Sequence, residues 1–381
     1  MSVPGRSQRE SPELPCADGS TGARIDTRPC PVPFWLQGGH VQTLYGAFCA
    51  QHPTLHFVRE RVDTPDGDFI DLDWCGPALN PNLRADGQAS AHESGLVGTA
   101  ARRWAEDADW TALSGGGPAL ILFHGLEGSS LSPYMQAIAH DFRAAGWVVA
   151  AAHFRGCSGV PNRMARAYYS GDSAEIEFIL GHARKRLPQA GWHAAGISLG
   201  GNALLKLLGE SGSAPHGLRA AAAVSVPMDL AACGRRLSDT VWGRQLYSRY
   251  FLRSIRRKIF EKAGEFPGSV DVSRTQSMRS LREFDDLYTA PMHGYHNALD
   301  YWTRAASLPL LPSIRTPTLV LNARNDPFVP EASLPGSRDA SGDVLLHQPA
   351  QGGHAGFVTG VFPGHLRWLP ARLLRFFETG A

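Results

Sequence analysis

A serine flanked by glycines is the residue of this sequence that most directly suggests chemistry. Gly196-Ile-Ser198-Leu-Gly200 forms a G-x-S-x-G pattern. An apolar run, 193–197, ends just before Ser198, and an amphipathic run, 199–210, begins just after it. This strand–turn–helix setting predicts a tight turn that lifts the hydroxyl of Ser198 out at the end of a strand. The alternative is an ordinary serine in a strand–helix turn. We predict that Ser198 is a nucleophile.

A serine hydroxyl needs a base within hydrogen-bond reach, and in this arrangement an acid and then a histidine follow it along the chain. His354 lies in a glycine-rich loop, whereas His347 lies within a strand run and His365 opens a helical run. We therefore predict His354 as the base. Asp326 follows a strand run and is the predicted acid, favoured on position over Asp229, which ends an earlier strand run.

Acyl transfer also needs N–H donors for the oxyanion of the tetrahedral intermediate. The segment His124-Gly-Leu126-Glu-Gly128 follows the first buried strand run, where one such backbone donor is expected. We assign this donor to Leu126 and the second to Leu199, the residue after the serine. The alternative for the segment is a plain glycine-rich turn.

The elements that must position these residues alternate between short apolar runs and longer amphipathic runs. The predicted strands are 119–123, 147–152, 193–197, 218–226 and 318–321, with a weaker one at 344–346. The predicted helices are 133–145, 173–187, 199–210 and 365–377. This alternation predicts an α/β fold with a mostly parallel sheet flanked by helices on both faces.

The remaining segments predict one elaborated domain. We expect a flexible N-terminal leader at residues 1–33 and a single catalytic domain at 34–381. Within that domain we predict an antiparallel hairpin, a surface insertion and a helical cap, at 56–74, 78–117 and about 228–316 respectively.

Composition excludes several classes of protein. The 381 residues carry 37 Lys and Arg against 35 Asp and Glu, a net charge of +2 that does not indicate a nucleic-acid partner. No run approaches the ~20 apolar residues of a membrane span. The six scattered cysteines do not suggest a metal site, and the N-terminus has no secretory pattern. We predict a cytoplasmic protein that needs no metal or cofactor.

The cap segment 244–258 is rich in cations. Arginines at 249, 253, 256 and 257 lie on one predicted helical side, and Leu246, Tyr250, Phe251 and Ile255 interleave them. Weak peripheral contact with anionic lipid is one interpretation. A solvated helix face over packed apolar residues is the other, and charge runs usually have that explanation.

Taken together, the motifs resemble the α/β-hydrolase superfamily, and within it the YheT-like branch, related to abhydrolase-domain esterases and lipases. The resemblance runs from about residue 34 to the C-terminus and rests on six strings: GHVQTL at 39–44, HGLEGS at 124–129, FRGCSG at 154–159, GISLGGN at 196–202, FDDLYTAP at 284–291 and GHAGF at 353–357. It implies a helical cap inserted into the sheet domain and a triad of Ser198, Asp326 and His354. Departures from the family pattern are His153, Tyr169 and the long insertion.

The function implied is hydrolysis of carboxylic esters, either short- or medium-chain acyl esters or acylglycerols, through an acyl-enzyme. The expected partner is a small-molecule or lipid ester. Two alternatives stay open at this point. One is a non-hydrolytic protein that binds a lipid or small molecule on the same fold, and the other is an acyltransferase or thioesterase that uses the same triad.

Overall fold

Ten β-strands form one mixed sheet in a computed structural model that describes residues 22–79 and 103–381. In chain order they are β1 (Arg24–Asp26), β2 (Val58–Asp63), β3 (Phe69–Cys75), β4 (Arg103–Trp104), β5 (Gly117–Phe123), β6 (Val148–Ala152), β7 (Ala190–Ile197), β8 (Ala220–Val224), β9 (Thr318–Leu321) and β10 (Val344–His347). Their spatial order is β1-β10-β9-β8-β7-β5-β6-β3-β2-β4. The strands from β1 to β6 in that order are parallel, and β3 pairs antiparallel with both β6 and β2.

The six apolar runs of the sequence form β5 to β10, so the predicted α/β architecture is confirmed. Strand β5 shows why such runs are mostly apolar. Ala119, Ile121 and Phe123 pack into the core on one face of the sheet. Leu120 and Leu122 pack into the core on the other face. Successive side chains of a strand point to opposite faces, so a strand covered on both sides is apolar at most positions.

Helices cover both faces of the sheet and fill the segment between β8 and β9. They are α1 (Gly39–Phe48), α2 (Asp107–Leu113), α3 (Pro133–Ala144), α4 (Ser173–Arg186), α5 (Leu199–Ser211), α6 (Leu230–Asp239), α7 (Arg249–Glu265), α8 (Val272–Ser277), α9 (Leu281–Phe284), α10 (Ala290–Met292), α11 (Ala298–Ala305) and α12 (Trp368–Thr379). Two π-helical turns, Gly243–Ser248 and Asp285–Thr289, join members of this set. No helix among the described residues is long and apolar enough to cross a membrane.

The predicted helix at 365–377 begins three residues later than expected, at Trp368. The backbone of His365 pairs with Thr359, and the N–H of Leu366 donates to Gln51 O at 3.2 Å. These contacts pair the backbone of residues 365 and 366 with other segments, and the helix begins only after them.

Two segments predicted to lie outside the core contribute to the sheet. Residues 24–26 of the predicted leader form β1, which pairs in parallel with β10, while residues 1–21 lie outside the described part of the chain. Within the predicted insertion, residues 80–102 also lie outside it. Its C-terminal part forms β4, which pairs with β2, and α2, whose Trp110 packs edge-on against Trp74 with ring centroids 5.4 Å apart. The buried indole of Trp74 explains why α2 is held against the domain.

The stretch between β8 and β9 is described throughout and contains helices but no strand. Helices α6 to α11 lie here, and their apolar side chains form separate clusters beside the main core. One cluster centres on Leu252, Ile255 and Ile259 of α7. Another contains Tyr301 and Trp302 of α11. The stretch therefore has its own packing above the sheet edge that holds Ser198.

Candidate active site

Ser198 lies in the tight turn between β7 and α5. Its backbone has φ 54° and ψ −117°, which is a strained conformation for a residue with a side chain. The Ser198 N–H donates to Val224 O at 2.8 Å, which ties the turn to the neighbouring strand. A Cβ on Gly196 would lie 2.5 Å from Gly200 O, and a Cβ on Gly200 would lie 2.6 Å from His124 O. The glycines of the motif are thus required by backbone contacts.

The three side chains singled out in the sequence are joined by hydrogen bonds. His354 Nε2 lies 3.0 Å from Ser198 Oγ. His354 Nδ1 lies 2.8 Å from Asp326 Oδ2. The other oxygen, Asp326 Oδ1, accepts from the backbone N–H groups of Phe328 at 2.8 Å and Val329 at 3.3 Å. The carboxylate is buried and the imidazole nearly so, and both are held in one orientation.

Asp229, the alternative acid, has a different role. Its carboxylate accepts from the N–H of Ala232 at 2.9 Å and caps the N-terminus of α6. The acid bonded to His354 is Asp326.

Helix α1 supports the loop that carries the histidine. The His354 N–H donates to Thr43 Oγ1 at 2.9 Å. A Cβ on Gly353, which has φ +64°, would lie 2.9 Å from the Thr43 backbone nitrogen. On the other side, the N–H of Ala355 donates to Ser225 Oγ at 2.9 Å. The sequence analysis assigned no role to Thr43 or Ser225, although Thr43 lies within the GHVQTL string.

The two backbone donors assigned to the oxyanion are free to bind a ligand. Leu199 is the first residue of α5, so its N–H has no acceptor within the helix. Leu126 lies between Gly125 and Glu127, whose N–H groups donate to Tyr134 Oη at 3.0 Å and Tyr168 Oη at 2.8 Å. Among the described residues neither leucine N–H has an acceptor. Both leucines line the cavity into which Ser198 opens.

The role of the two tyrosines beside Leu126 was not predicted from the sequence, because no spacing relates them to the HGLEGS string. Tyr134 is in α3 and Tyr168 is in the loop before α4. The loop they hold is also close to the serine, since a Cβ on Gly125 would lie 3.1 Å from Ser198 Cβ. The tyrosine hydroxyls therefore help to place the Leu126 N–H beside Ser198.

His124, next to this loop, is a neutral structural residue. Burial lowers its pKa to about 3. Its Nε2 accepts from the N–H of Phe154 at 3.1 Å, so Nδ1 carries the proton and donates to Gly125 O at 2.7 Å. This assignment of the proton follows from the hydrogen bonds. His124 fixes the start of the loop and does not contact Ser198 Oγ.

A cavity of about 810 Å³ opens at Ser198 and His354, between the sheet edge and helices α1, α6, α7 and α9. Most of its walls are apolar or aromatic, with residues including Leu44, Phe48, Leu126, Leu230, Leu246, Tyr250, Phe251, Ile255, Phe284, Tyr288 and Phe328. An ion pair crosses it where Lys258 Nζ of α7 lies 2.9 Å from Glu127 Oε1. In residues 22–79 and 103–381, no group of three or more His, Cys, Asp or Glu side chains has the arrangement of a metal site.

The two departures from the family pattern lie in packed surroundings. His153 Nε2 is 2.8 Å from Asp73 Oδ2, and both side chains are fully buried. Tyr169 packs on His293 with ring centroids 4.2 Å apart. Neither residue hydrogen bonds to Ser198 or His354.

The sequence matches the model of the alpha/beta hydrolase fold family over residues 118–361. It is 33% identical over 336 residues to "Putative esterase YheT" of Escherichia coli (strain K12), covering 88% of each chain. It is 29% identical over 331 residues to "Phospholipase ABHD3" of Homo sapiens, covering 86% of this chain and 73% of that protein. It is 28% identical over 400 residues to "Monoacylglycerol lipase" of Saccharomyces cerevisiae (strain ATCC 204508 / S288c), covering 99% of this chain and 84% of that protein. The chain belongs to the α/β-hydrolase family, in the branch that includes YheT.

Proposed function

We propose that this protein hydrolyses carboxylic esters, with Ser198 as nucleophile, His354 as general base and Asp326 as the carboxylate that orients the imidazole. The observation that carries the proposal is the hydrogen-bonded series Asp326–His354–Ser198, with distances of 2.8 Å and 3.0 Å, at the base of an apolar cavity. The names of the relatives (an esterase, a phospholipase and a monoacylglycerol lipase) support the same class of reaction.

In the first half of the reaction, Ser198 Oγ attacks the ester carbonyl while His354 Nε2 takes its proton. Asp326 holds the other ring nitrogen and stabilises the imidazolium that forms. The carbonyl oxygen becomes an oxyanion, which the N–H groups of Leu126 and Leu199 stabilise. Each such donor contributes roughly 10²–10³ to the rate. The alcohol then leaves with the proton from His354, and the acyl group stays on Ser198.

In the second half, His354 takes a proton from water as the water oxygen attacks the acyl-enzyme. A second oxyanion forms at the same two N–H groups. When it collapses, Ser198 leaves and recovers its proton from His354, and the carboxylic acid is released. An alcohol or thiol in place of water would make the same site an acyltransferase, so the acceptor decides between hydrolysis and transfer.

The walls of the cavity support an acyl ester as the substrate. About 810 Å³ lined by leucine, isoleucine and aromatic side chains favours an aliphatic chain over a charged substrate. Short- or medium-chain esters and acylglycerols fit this description. A cytoplasmic location stays a prediction.

Two variants and a covalent probe test the proposal. Ser198→Ala should abolish hydrolysis of p-nitrophenyl esters and labelling by a fluorophosphonate, whereas the exposed Ser213→Ala should retain both. Labelling of the wild-type protein distinguishes an enzyme from a binding protein on the same fold. Wild-type protein that neither reacts with the probe nor hydrolyses the esters would contradict the proposal, as would full activity of Ser198→Ala.

A further inference from the structure

Helix α1 presents an apolar face away from the core. Val41, Tyr45 and Phe48 recur at i, i+4 and i+7 and therefore lie on one side of the helix. Val41 and Phe48 are 51% and 63% exposed. The whole stretch from residue 34 to residue 57 contains no Asp, Glu, Lys or Arg. A face of this kind, uncharged and exposed, is unusual for a helix in contact with water alone.

Exposed aromatic residues flank α1 on both sides. Toward the cap, Phe48 packs edge-on against Tyr250 with ring centroids 5.8 Å apart, and His40 contacts Trp242 at 5.4 Å. On the other side, the ring of Trp35 packs edge-on against those of Tyr45 and Phe362, with centroids 5.2 Å and 5.5 Å apart respectively. These contacts join separate segments into one surface. We call it the mouth surface, defined by Val41, Phe48, Val241, Trp242, Tyr250, Val361 and Phe362, all at least half exposed.

The mouth surface lies at the entrance of the catalytic cavity. Phe48 and Tyr250 are exposed to solvent and also line the cavity that ends at Ser198. Leu44 of α1 and Leu246 of the cap lie beside them in the cavity wall. The mouth surface is therefore continuous with the apolar part of the cavity wall.

The cap part of this surface is positively charged. Residues 240–260 contain no Asp or Glu and six cations, while Asp239 precedes the stretch and Glu261 follows it. Arg244, Arg249, Arg253 and Arg257 are exposed. Tyr250, Arg253 and Arg257 share one face of α7 at i, i+3 and i+7. Aromatic side chains beside arginines suit the boundary between acyl chains and phosphates in a bilayer.

We propose that the mouth surface docks on the face of an anionic lipid bilayer. Trp242 and Tyr250 lie at the depth of the headgroups, and the cap arginines lie against lipid phosphates. This docking places the cavity entrance on the membrane, so that a lipid ester enters it directly, a consequence that rests on the proposed function. A protein seated on the same surface would block the entrance without supplying a substrate, whereas a bilayer would supply a lipid ester, and for this reason we favour the bilayer.

Vesicle binding tests the docking without any need for catalysis. The Ser198→Ala protein is incubated with phosphatidylcholine vesicles, with and without phosphatidylglycerol, and bound protein is measured by flotation. We expect binding only to the anionic vesicles, with a loss at high salt. On that background, Arg249→Gln and Arg253→Gln should each weaken the partition coefficient about fivefold. Arg375→Gln, at an exposed arginine of α12, is the matched control and should have no effect.

A second pair of variants tests the aromatic contribution. Trp242→Ser should lower the partition coefficient about tenfold. The control is Trp104→Ser, because Trp104 of β4 is 52% exposed and lies outside the mouth surface. With Ser198 intact, Trp242→Ser should keep wild-type hydrolysis of a water-soluble ester, which shows that it folds and reports on the proposed function independently of docking.

Three results would overturn the docking. The first is no binding to anionic vesicles, and the second is binding that Trp242→Ser and the arginine variants leave unchanged. The third is a dimer in light scattering that Trp242→Ser disperses, because the mouth surface would then be an interface between two copies of the chain.

Discussion

Replacing Asp326 with asparagine removes one function of the carboxylate while keeping its volume. In the wild-type protein Oδ1 accepts from two backbone N–H groups, those of Phe328 and Val329. Oδ2 lies 2.8 Å from His354 Nδ1 and accepts the hydrogen bond from its N–H group. An asparagine has one carbonyl oxygen and one NH₂ group, so it can serve only one of these two sides as an acceptor.

The backbone decides which side the amide oxygen takes. If it faced His354, the NH₂ group would point at two N–H donors in a buried site. Each unsatisfied donor costs about 1–3 kcal/mol. The oxygen therefore stays on the backbone side, and the NH₂ group faces His354 Nδ1. That nitrogen must then accept, so the proton moves to Nε2, which faces Ser198 Oγ. An imidazole in this tautomer cannot take the serine proton.

The expected loss in kcat is about 10⁴-fold, the size of the corresponding effect in a serine protease with the same exchange of tautomers. At 1.36 kcal/mol per tenfold, this is about 5 kcal/mol of transition-state stabilisation. We expect KM and the free energy of unfolding to change little, because the backbone hydrogen bonds and the side-chain volume are kept.

Steady-state hydrolysis of p-nitrophenyl butyrate at neutral pH measures the effect. The matched control is Asp229→Asn. Asparagine caps a helix about as well as aspartate, so this variant should keep both its Tm and its kcat. The reasoning fails if Asp326→Asn retains kcat within tenfold of the wild type, or if Asp229→Asn loses activity to a similar extent.

Three further substitutions test other contacts. Gly200→Ala puts a Cβ 2.6 Å from a backbone oxygen, so we expect a loss of about 1–3 kcal/mol in stability and at least tenfold in kcat; an unchanged Tm would contradict the close contact. Tyr134→Phe leaves the Gly125 N–H without its acceptor. We expect kcat to fall at constant KM, by at most the roughly 10²–10³-fold that the loss of one oxyanion donor causes. A rise in KM with no change in kcat would contradict this. Burial raises the pKa of Asp285 to about 7 from 3.8, so the folded state binds this proton more tightly and stability falls as the pH rises through that interval. Asp285→Asn, whose oxygen can still accept from Trp302, should show a smaller fall in Tm between about pH 4 and 7, and an identical fall would refute the assignment.

Much of the sheet was predictable because its signals are local. A strand buried on both faces is apolar at most positions, and β5 to β10 each have such a run. The turn at Ser198 was also predictable, since the contact that excludes a side chain at Gly196 is with the oxygen of Gly200, only four residues away, whereas the contact that excludes one at Gly200 is with the distant His124. The start of α12 was predicted wrongly because the bridge between His365 and Thr359 leaves no periodic pattern.

The supports of the candidate site were much harder to predict. Thr43 lies 311 positions from His354, whose N–H it accepts, and no local pattern relates the two. Tyr134 and Tyr168 bracket the N–H of Leu126 from two different elements. Each of these contacts depends on which loops meet at the edge of the sheet, and therefore on the order of the strands.

The sequence by itself determined which residues are able to do the chemistry: a serine in a turn that only glycines permit, followed by an aspartate and a histidine in loops after buried strands. Tertiary structure decided how these residues meet: Asp326, as favoured, bonds to His354 while Asp229 caps α6, the Leu126 and Leu199 N–H groups have no acceptor among the described residues, and α1 joins the cap aromatics at the cavity mouth. The physical reason is that side-chain type and backbone sterics act within a few residues, whereas these contacts join residues that only the packing of the sheet and its helices brings together.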